Sequence, residues 1–298
     1  MPELPEVEII KLFLAQNVIG LKVKSIEILN KNSFNGDPKV LINNEVKSVE
    51  RRAKVLRVGF GEIELLVHLK MSGQLILVRS EEQREKRQKK FIGGHPTNDM
   101  DSEMPNKSTR VIFTLTNPLH SSLITTHLYF NDQRKFGWIK VRDKGQVLRD
   151  KLFQSFGPEP LEKDFKVGIL KENLLKHKNS SVKVVLLDQT VVAGVGNIYA
   201  CEACFLAGIN PSKKIGELKI EDFKKLYKSI IESLKNGIKY GGSSKTHFTN
   251  PEGKKGTFLD YAYVYGREKL PCKNCKTPVR KIKLGGRGTF YCPQCQVD

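Results

Sequence analysis

The residues of this chain whose types and spacing could do chemistry begin at its second position, where the opening MPELPEVEII places Pro2 beside Glu3. Proline suits the first turn of a helix, where its missing N–H is no loss and an acidic neighbour meets the positive end of the dipole. Once Met1 is removed, however, Pro2 is also a secondary amine at the chain end, and such an amine can be a nucleophile. Both readings stand on these ten residues. Toward the other end, Cys272 and Cys275 form one Cys-x2-Cys pair and Cys292 and Cys295 another, with sixteen residues between the pairs. A spacer of about 15–20 residues between two such pairs is the pattern of a four-cysteine zinc site. Four thiolates close a tetrahedron around one ion and leave no position for water, so the predicted metal is a single structural Zn2+. Between the pairs runs KTPVRKIKLGGRGTFY, a basic hairpin that offers Arg287 among glycines. A guanidinium fork presented this way is suited to a phosphate.

Cys201 and Cys204 make a further Cys-x-x-Cys pair, in the apolar helical run IYACEACFLAGI. There a free thiol acts as a small buried hydrophobe, and core placement is expected over metal ligation.

The elements that must position these groups fall into three stretches. Leu4, Val7, Ile10 and Leu14 carry a helical period. From Lys22 to about Val78, and again over RVIFTL, SSLITTHLYF and WIKV, short β-branched runs predict antiparallel strands. Between them, about 80–107, lies SEEQREKRQKK and a Gly/Pro/Asn/Asp/Ser-rich segment with few core formers, predicted to be a mobile surface insertion. After Arg142 the texture turns helical, in VLRDKLFQSF, FKVGILKENLLKH, an apolar segment, and IEDFKKLYKSIIESLKNGIKYG. The expected domains are 1–142, 143–258 and 259–298.

With 298 residues the chain has room for two cores, and 51 Lys+Arg against 32 Asp+Glu give a net charge of +19. Such an excess is the footprint of a polyanionic partner, most often nucleic acid. The opening has no basic-then-apolar leader. The longest apolar region, Val182 to Ile209, is interrupted by Asp188, Gln189, Asn197 and Glu202. No membrane association is expected, and a cytoplasmic monomer is the reading.

MPELPEVE, RRAKVL, HLKMSGQL, FNDQRKFG, GPEPL, LLDQTVVAGVGNIYACEACF, VYGRE and GGRGTFYCPQCQ follow one another in the order found in formamidopyrimidine-DNA glycosylases, and the chain resembles that family nearly throughout. The resemblance implies an α+β multidomain fold. Its parts are an N-terminal antiparallel β-sandwich with a leading helix, a C-terminal helical helix–two-turns–helix domain and a four-cysteine zinc-finger hairpin. It implies a bifunctional DNA glycosylase/AP lyase that removes oxidised purines, 8-oxoguanine and formamidopyrimidines, from double-stranded DNA and cleaves at abasic sites. In that resemblance Pro2 is the Schiff-base nucleophile and Glu3 the proton donor. Lys54 serves β-elimination, and Arg287 serves the δ step and the lesion's phosphate. Met71, Arg134 and Phe136 match the side chains that fill the hole left by a flipped base. Lys178, Lys183 and Asn197 match phosphate-facing positions. The stretches GGSSKTHF and GKKGTF match a mobile loop over the flipped base.

This chain departs from the pattern at Ser108, where a DNA-binding His is usual, and at Gln133 and Lys135. Two other functions fit less well. An endonuclease VIII-like enzyme for oxidised pyrimidines is disfavoured by PELPE and the Met-Arg-Phe set, and a non-catalytic zinc-finger DNA-binding protein by the presence of every catalytic position.

Overall fold

A computed structural model describes residues 1–81, 89–94, 102–118, 124–243 and 256–297. The chain divides into two compact units. One is Met1–Phe153 with the described residues of Gly241–Gly256; the other is Gln154–Tyr240 with Thr257–Asp298.

The first unit opens with helix α1 (Leu4–Val18), followed by β1 (Lys22–Ile28), β2 (Phe34–Asn35), β3 (Ser48–Arg52), β4 (Val55–Gly59), β5 (Ile63–His68) and β6 (Gly73–Glu81). Then come β7 (Lys89–Gly94), β8 (Thr109–Thr116), β9 (Ile124–Asp132), β10 (Trp138–Asp143) and the short helices α2 (Lys144–Arg149) and α3 (Lys151–Ser155). One sheet has the order β1-β8-β9-β6-β7 and the other β2-β10-β5-β4-β3. All neighbours are antiparallel except β2 and β10, which pair in parallel over Phe34 and Asn35. Alternation supplies the core. Leu75 and Leu77, Val111 and Phe113, and Leu128 and Phe130 from one sheet join Val49, Leu56, Val67 and Val141 from the other. Val7, Ile10, Leu14 and Val18 of α1, one helical stripe, enter the same core.

Two expectations change here. Part of the expected surface insertion is built into the fold: Lys89–Gly94 pairs with β6 from Gln74↔Gly94 to Arg79↔Lys89. The open edge of β6 offers unpaired backbone donors and acceptors, so pairing there needs no core-forming side chains. Met104, from the same stretch, packs on the outer-face cluster of Ile76, Val78, Ile112 and Tyr129. The expected helix VLRDKLFQSF is two helices, because Asp150 ends α2 and its carboxylate caps Leu152 N–H of α3 at 2.8 Å.

The second unit contains α4 (Val167–Leu175), α5 (Val182–Leu186), α6 (Asn197–Ala207), α7 (Ile220–Lys239), α8 (Phe258–Tyr261) and the hairpin β11 (Arg280–Leu284) and β12 (Arg287–Tyr291). Helices α6 and α7 pack closely at Gly237, where a Cβ would stand 2.4 Å from Tyr199 Cε1 and 2.6 Å from its hydroxyl. Tyr199 is fully buried and has no room to retreat. Among the described residues no helix is long and apolar enough to cross a membrane.

Alanine normally favours a helix interior over glycine by roughly 1 kcal/mol. At Gly237 the sign reverses: Gly237→Ala is expected to destabilise by about 1–3 kcal/mol through overpacking, read as a lowered urea midpoint at unchanged m-value.

Candidate active site

Pro2 and Glu3 are buried at the head of α1, while Met1 is exposed. Glu3 is the extended residue before the helix, at φ −97° and ψ −173°. Its backbone N–H donates to Glu6 Oε2 at 2.9 Å, so the helix's own third residue reaches back to hold the residue next to Pro2. The other oxygen of that carboxylate, Oε1, accepts from Ser243 N–H at 2.8 Å. Glu6 is itself only 1% exposed, so both of its oxygens are engaged away from solvent. Glu3-x-x-Glu6 before an apolar run is the sequence signal that could have marked Glu6 as a clamp.

Lys54 sits in the two-residue turn between β3 and β4, after Arg52↔Val55 closes the ladder. Ala53 takes the left-handed conformation there, at φ +53°. The turn is tied to α1 by Arg51, whose Nε donates to Glu8 Oε2 at 2.9 Å and whose Nη1 donates to Ala53 O at 3.0 Å. Burial raises the Glu8 carboxyl, but Lys11 and Arg51 outweigh it and hold the carboxyl below its ordinary range. Lys54 is 6% exposed and therefore no solvated strand lysine. Its charge is felt by His68, whose pKa falls to about 3 through burial first, then Lys70 and Lys54. His68 is thus a neutral imidazole; its Nδ1 accepts from Lys70 N–H at 3.0 Å. His68 opens the quoted HLKMSGQL, but the resemblance assigns it no role.

Met71 lies half-buried in the tight turn before β6. That turn closes with Gly73 N–H on Leu69 O at 2.8 Å, and a Cβ at Gly73 would meet the same oxygen at 2.4 Å. Arg134 is exposed, and Phe136 is 56% exposed and so stands outside the core. The Arg134 guanidinium carbon lies 5.0 Å from the Phe136 ring centroid. Ser108, in place of the family's histidine, is buried, and its carbonyl accepts from Asp132 N–H at 2.8 Å. Of the expected lesion-covering loop, residues 244–255 lie outside the described residues.

In the second unit Gln189 shapes the turn before α6. Its side-chain amide donates to Leu187 O and Val195 O, and its oxygen accepts from Gly194 N–H at 2.9 Å. Gly194 needs its glycine, at φ +89°. Asn197 starts α6, and its Nδ2 donates to Gly288 O at 3.0 Å, which fastens the helix start to the β11–β12 hairpin. Arg287 is exposed beside the Gly285–Gly286 turn, where both glycines have positive φ. Lys178 is exposed, whereas Lys183 is fully buried, unlike a lysine held out to a phosphate. Burial pushes the Cys204 thiol up, with Cys201 adding to the rise and the Lys183 charge opposing it.

The Sγ atoms of Cys272, Cys275, Cys292 and Cys295 all lie within 4.8 Å of one another. Cys275 and Cys292 are 3.4 Å apart and Cys272 and Cys295 3.9 Å, too far for disulfides. Zn–S bonds of about 2.3 Å place tetrahedral sulfurs ~3.8 Å apart, so the four thiols fit one zinc. These four cysteines hold a single structural zinc. Cys201 and Cys204 are fully buried on α6, with Cys201 packed behind Cys272 and Cys292.

Three family descriptions match along the chain: the formamidopyrimidine-DNA glycosylase N-terminal domain at residues 1–139, the H2TH domain of the same enzymes at 156–249, and the zinc finger found in FPG and IleRS at 269–297. Formamidopyrimidine-DNA glycosylases from Bacillus subtilis and Rickettsia canadensis are 35% and 36% identical, each aligned over 99% of both chains. The crystal structure of the MutM (Fpg) protein of Thermus thermophilus superposes with a TM-score of 0.81 at 31% identity, covering 99% of this chain and 98% of that one. The Lactococcus lactis Fpg bound to abasic-site DNA does so at 0.80 and 32%, covering 99% and 100%. The sandwich with its leading helix, the helical H2TH part and the four-cysteine finger define a DNA glycosylase architecture. The chain belongs to the formamidopyrimidine-DNA glycosylase family.

The Glu6 clamp is directly testable. Glu6→Gln replaces one acceptor oxygen by an NH2 group that faces a backbone donor, and a loss of about 1–3 kcal/mol is expected from the unsatisfied pair. The urea midpoint reads this loss, and glycosylase activity falls with it because Glu3 is no longer held.

Proposed function

We propose that the chain excises oxidised purines from duplex DNA and then cleaves the strand at the abasic site, with Pro2 as nucleophile. The observation that carries this reading is the chain terminus itself: Pro2 and Glu3 are buried and their backbone is locked by Glu6. An α-amine has a pKa of roughly 8, so a fraction is unprotonated near neutral pH. After removal of Met1, the Pro2 nitrogen attacks C1′ of the damaged nucleotide and the base departs with a proton, for which Glu3 is the donor. The amine then gives up its N–H proton and the C1′–O4′ bond opens, O4′ leaving as a protonated hydroxyl with Glu3 as the proton carrier. This yields an iminium between the proline nitrogen and C1′, positively charged without any bound proton. It acidifies the C2′ hydrogen; loss of that proton expels the 3′ phosphate, and a second elimination expels the 5′ phosphate. Lys54 serves the first elimination and Arg287 the second. Hydrolysis of the iminium returns Pro2.

Met71 and Phe136 hold the neighbouring bases apart while the damaged nucleotide is out of the helix, and Arg134 meets the partner base. The exposed Lys178 and the zinc-stapled Arg287 bind phosphate, and Asn197 keeps the hairpin tip in place. Lys183 is matched by the resemblance to a phosphate position, and its side chain is enclosed here. The damaged duplexes named for the Lactococcus lactis complexes, with an abasic site or Fapy-dG, are the substrate class expected for this chain. Association with the bacterial nucleoid follows from the +19 charge and this chemistry.

A duplex with 8-oxoguanine opposite cytosine should yield β,δ-elimination products. Pro2→Gly is expected to lower that yield by at least a hundredfold. Arg287→Ala should accumulate the β-elimination product. Gel analysis of end-labelled strands distinguishes the two products, and full activity in Pro2→Gly refutes the proline mechanism.

A further inference from the structure

We infer that Asp132 and Ser72 are positioning residues that set which base the enzyme accepts opposite the lesion, by joining the two turns that carry the hole-filling side chains. This inference rests on the assignment of Met71, Arg134 and Phe136 to that role.

Asp132 ends β9 and is fully buried; Ser72 is 3% exposed. The Ser72 hydroxyl donates to Asp132 Oδ1 at 2.5 Å, across sixty residues of sequence. The backbone N–H of Arg134 points at the same pair, 3.1 Å from Ser72 Oγ and 3.2 Å from Asp132 Oδ1. The other carboxylate oxygen, Oδ2, accepts from Gly137 N–H at 2.6 Å. Each side chain of the trio is therefore at most one residue from a group this carboxylate holds. Met71 precedes Ser72, Arg134 is bonded through its own N–H, and Phe136 precedes Gly137. The approach at Gly137 is close, since a Cβ there would lie 2.8 Å from Phe130 Cζ and 3.0 Å from Asp132 Oδ2.

Asp132 is itself anchored at both backbone ends, its N–H on Ser108 O at 2.8 Å and its carbonyl accepting from Arg110 Nε at 2.9 Å. Ser108 thus feeds the same network. An exposed side chain such as Arg134 takes its aim from its backbone anchor and from the Phe136 ring beside it, and the anchor is a buried, charge-assisted one.

Aim matters because of what a partner base offers. Unpaired cytosine presents two adjacent acceptors, N3 and O2, which match the paired donors of a guanidinium. Adenine sets a donor, its N6 amine, beside the N1 acceptor, so a well-aimed guanidinium meets a donor. A guanidinium held loosely makes both encounters and discriminates less.

The test is single-turnover excision of 8-oxoguanine opposite cytosine and opposite adenine. Rates are normalised to the fraction of molecules that form a borohydride-trapped complex. Wild type is expected to favour cytosine. Ser72→Ala, which removes one hydroxyl, should lower the cytosine-to-adenine ratio about fivefold, the size of one hydrogen bond. Asp132→Asn should lower it by roughly tenfold or more, as a charge-assisted acceptor is lost. A ratio unchanged in both variants, with the two rates falling together, overturns the inference. If Asp132→Asn does not fold, Ser72→Ala decides alone. Arg134→Ala separates this inference from the reading beneath it. A collapsed ratio there with an intact ratio in Ser72→Ala defeats the positioning role only. An intact ratio in Arg134→Ala defeats the assignment of Arg134 and the inference with it.

Discussion

One buried carboxylate sets the constraint on which the first unit depends. Glu6 holds Glu3 N–H with one oxygen and Ser243 N–H with the other. A carboxylate enclosed in protein is tolerated only when its oxygens are satisfied, so these two bonds are demanded by the burial that makes them strong. A chain end is ordinarily the least ordered part of a domain. Here it is pinned at the third residue, one peptide from the amine proposed as the nucleophile. Helix α1 passes that rigidity on, through its apolar stripe into the sandwich core and through Glu8 to Arg51 and the Lys54 turn.

The second unit solves its positioning problem with the same device. Glu202 on α6 is fully enclosed, and its carboxylate accepts from Tyr263, Val264 and Tyr265 N–H at 2.8–3.0 Å. Burial pushes its carboxyl up, and the three backbone donors work against that rise without cancelling it. Around it α6 serves as a platform for the zinc hairpin. Asn197 holds Gly288, Cys201 and Phe205 pack behind the ligand cysteines, and Gln296 ties the second cysteine pair to Ile209. Zinc fixes the hairpin internally, and α6 fixes where its arginine stands on the unit.

What could be read from the sequence follows from how local each cause is. Strand alternation, the α1 stripe and the cysteine spacing are local patterns, and they appear in the structure as β-sandwich, helix and four-thiol cluster. Strand β7 was not legible, because its pairing comes from the open edge of β6 rather than from its own composition. The enclosure of Lys54 and Lys183 escaped for a related reason: a lysine's burial is decided by its neighbours in space. Asp132 stood inside the quoted FNDQRKFG, yet its bond to Ser72 joins segments sixty residues apart that no spacing connects. Ser108 read as a missing contact, whereas in the fold it anchors Asp132.

The central claim is that the amine at the chain end, and not a lysine side chain, forms the covalent bond to DNA. The most direct measurement is peptide mapping by mass spectrometry of the complex trapped with borohydride on an 8-oxoguanine duplex. The account predicts that the N-terminal peptide begins at Pro2 and carries the reduced sugar adduct on its nitrogen. Finding the adduct on Lys54, or on any residue other than Pro2, contradicts it.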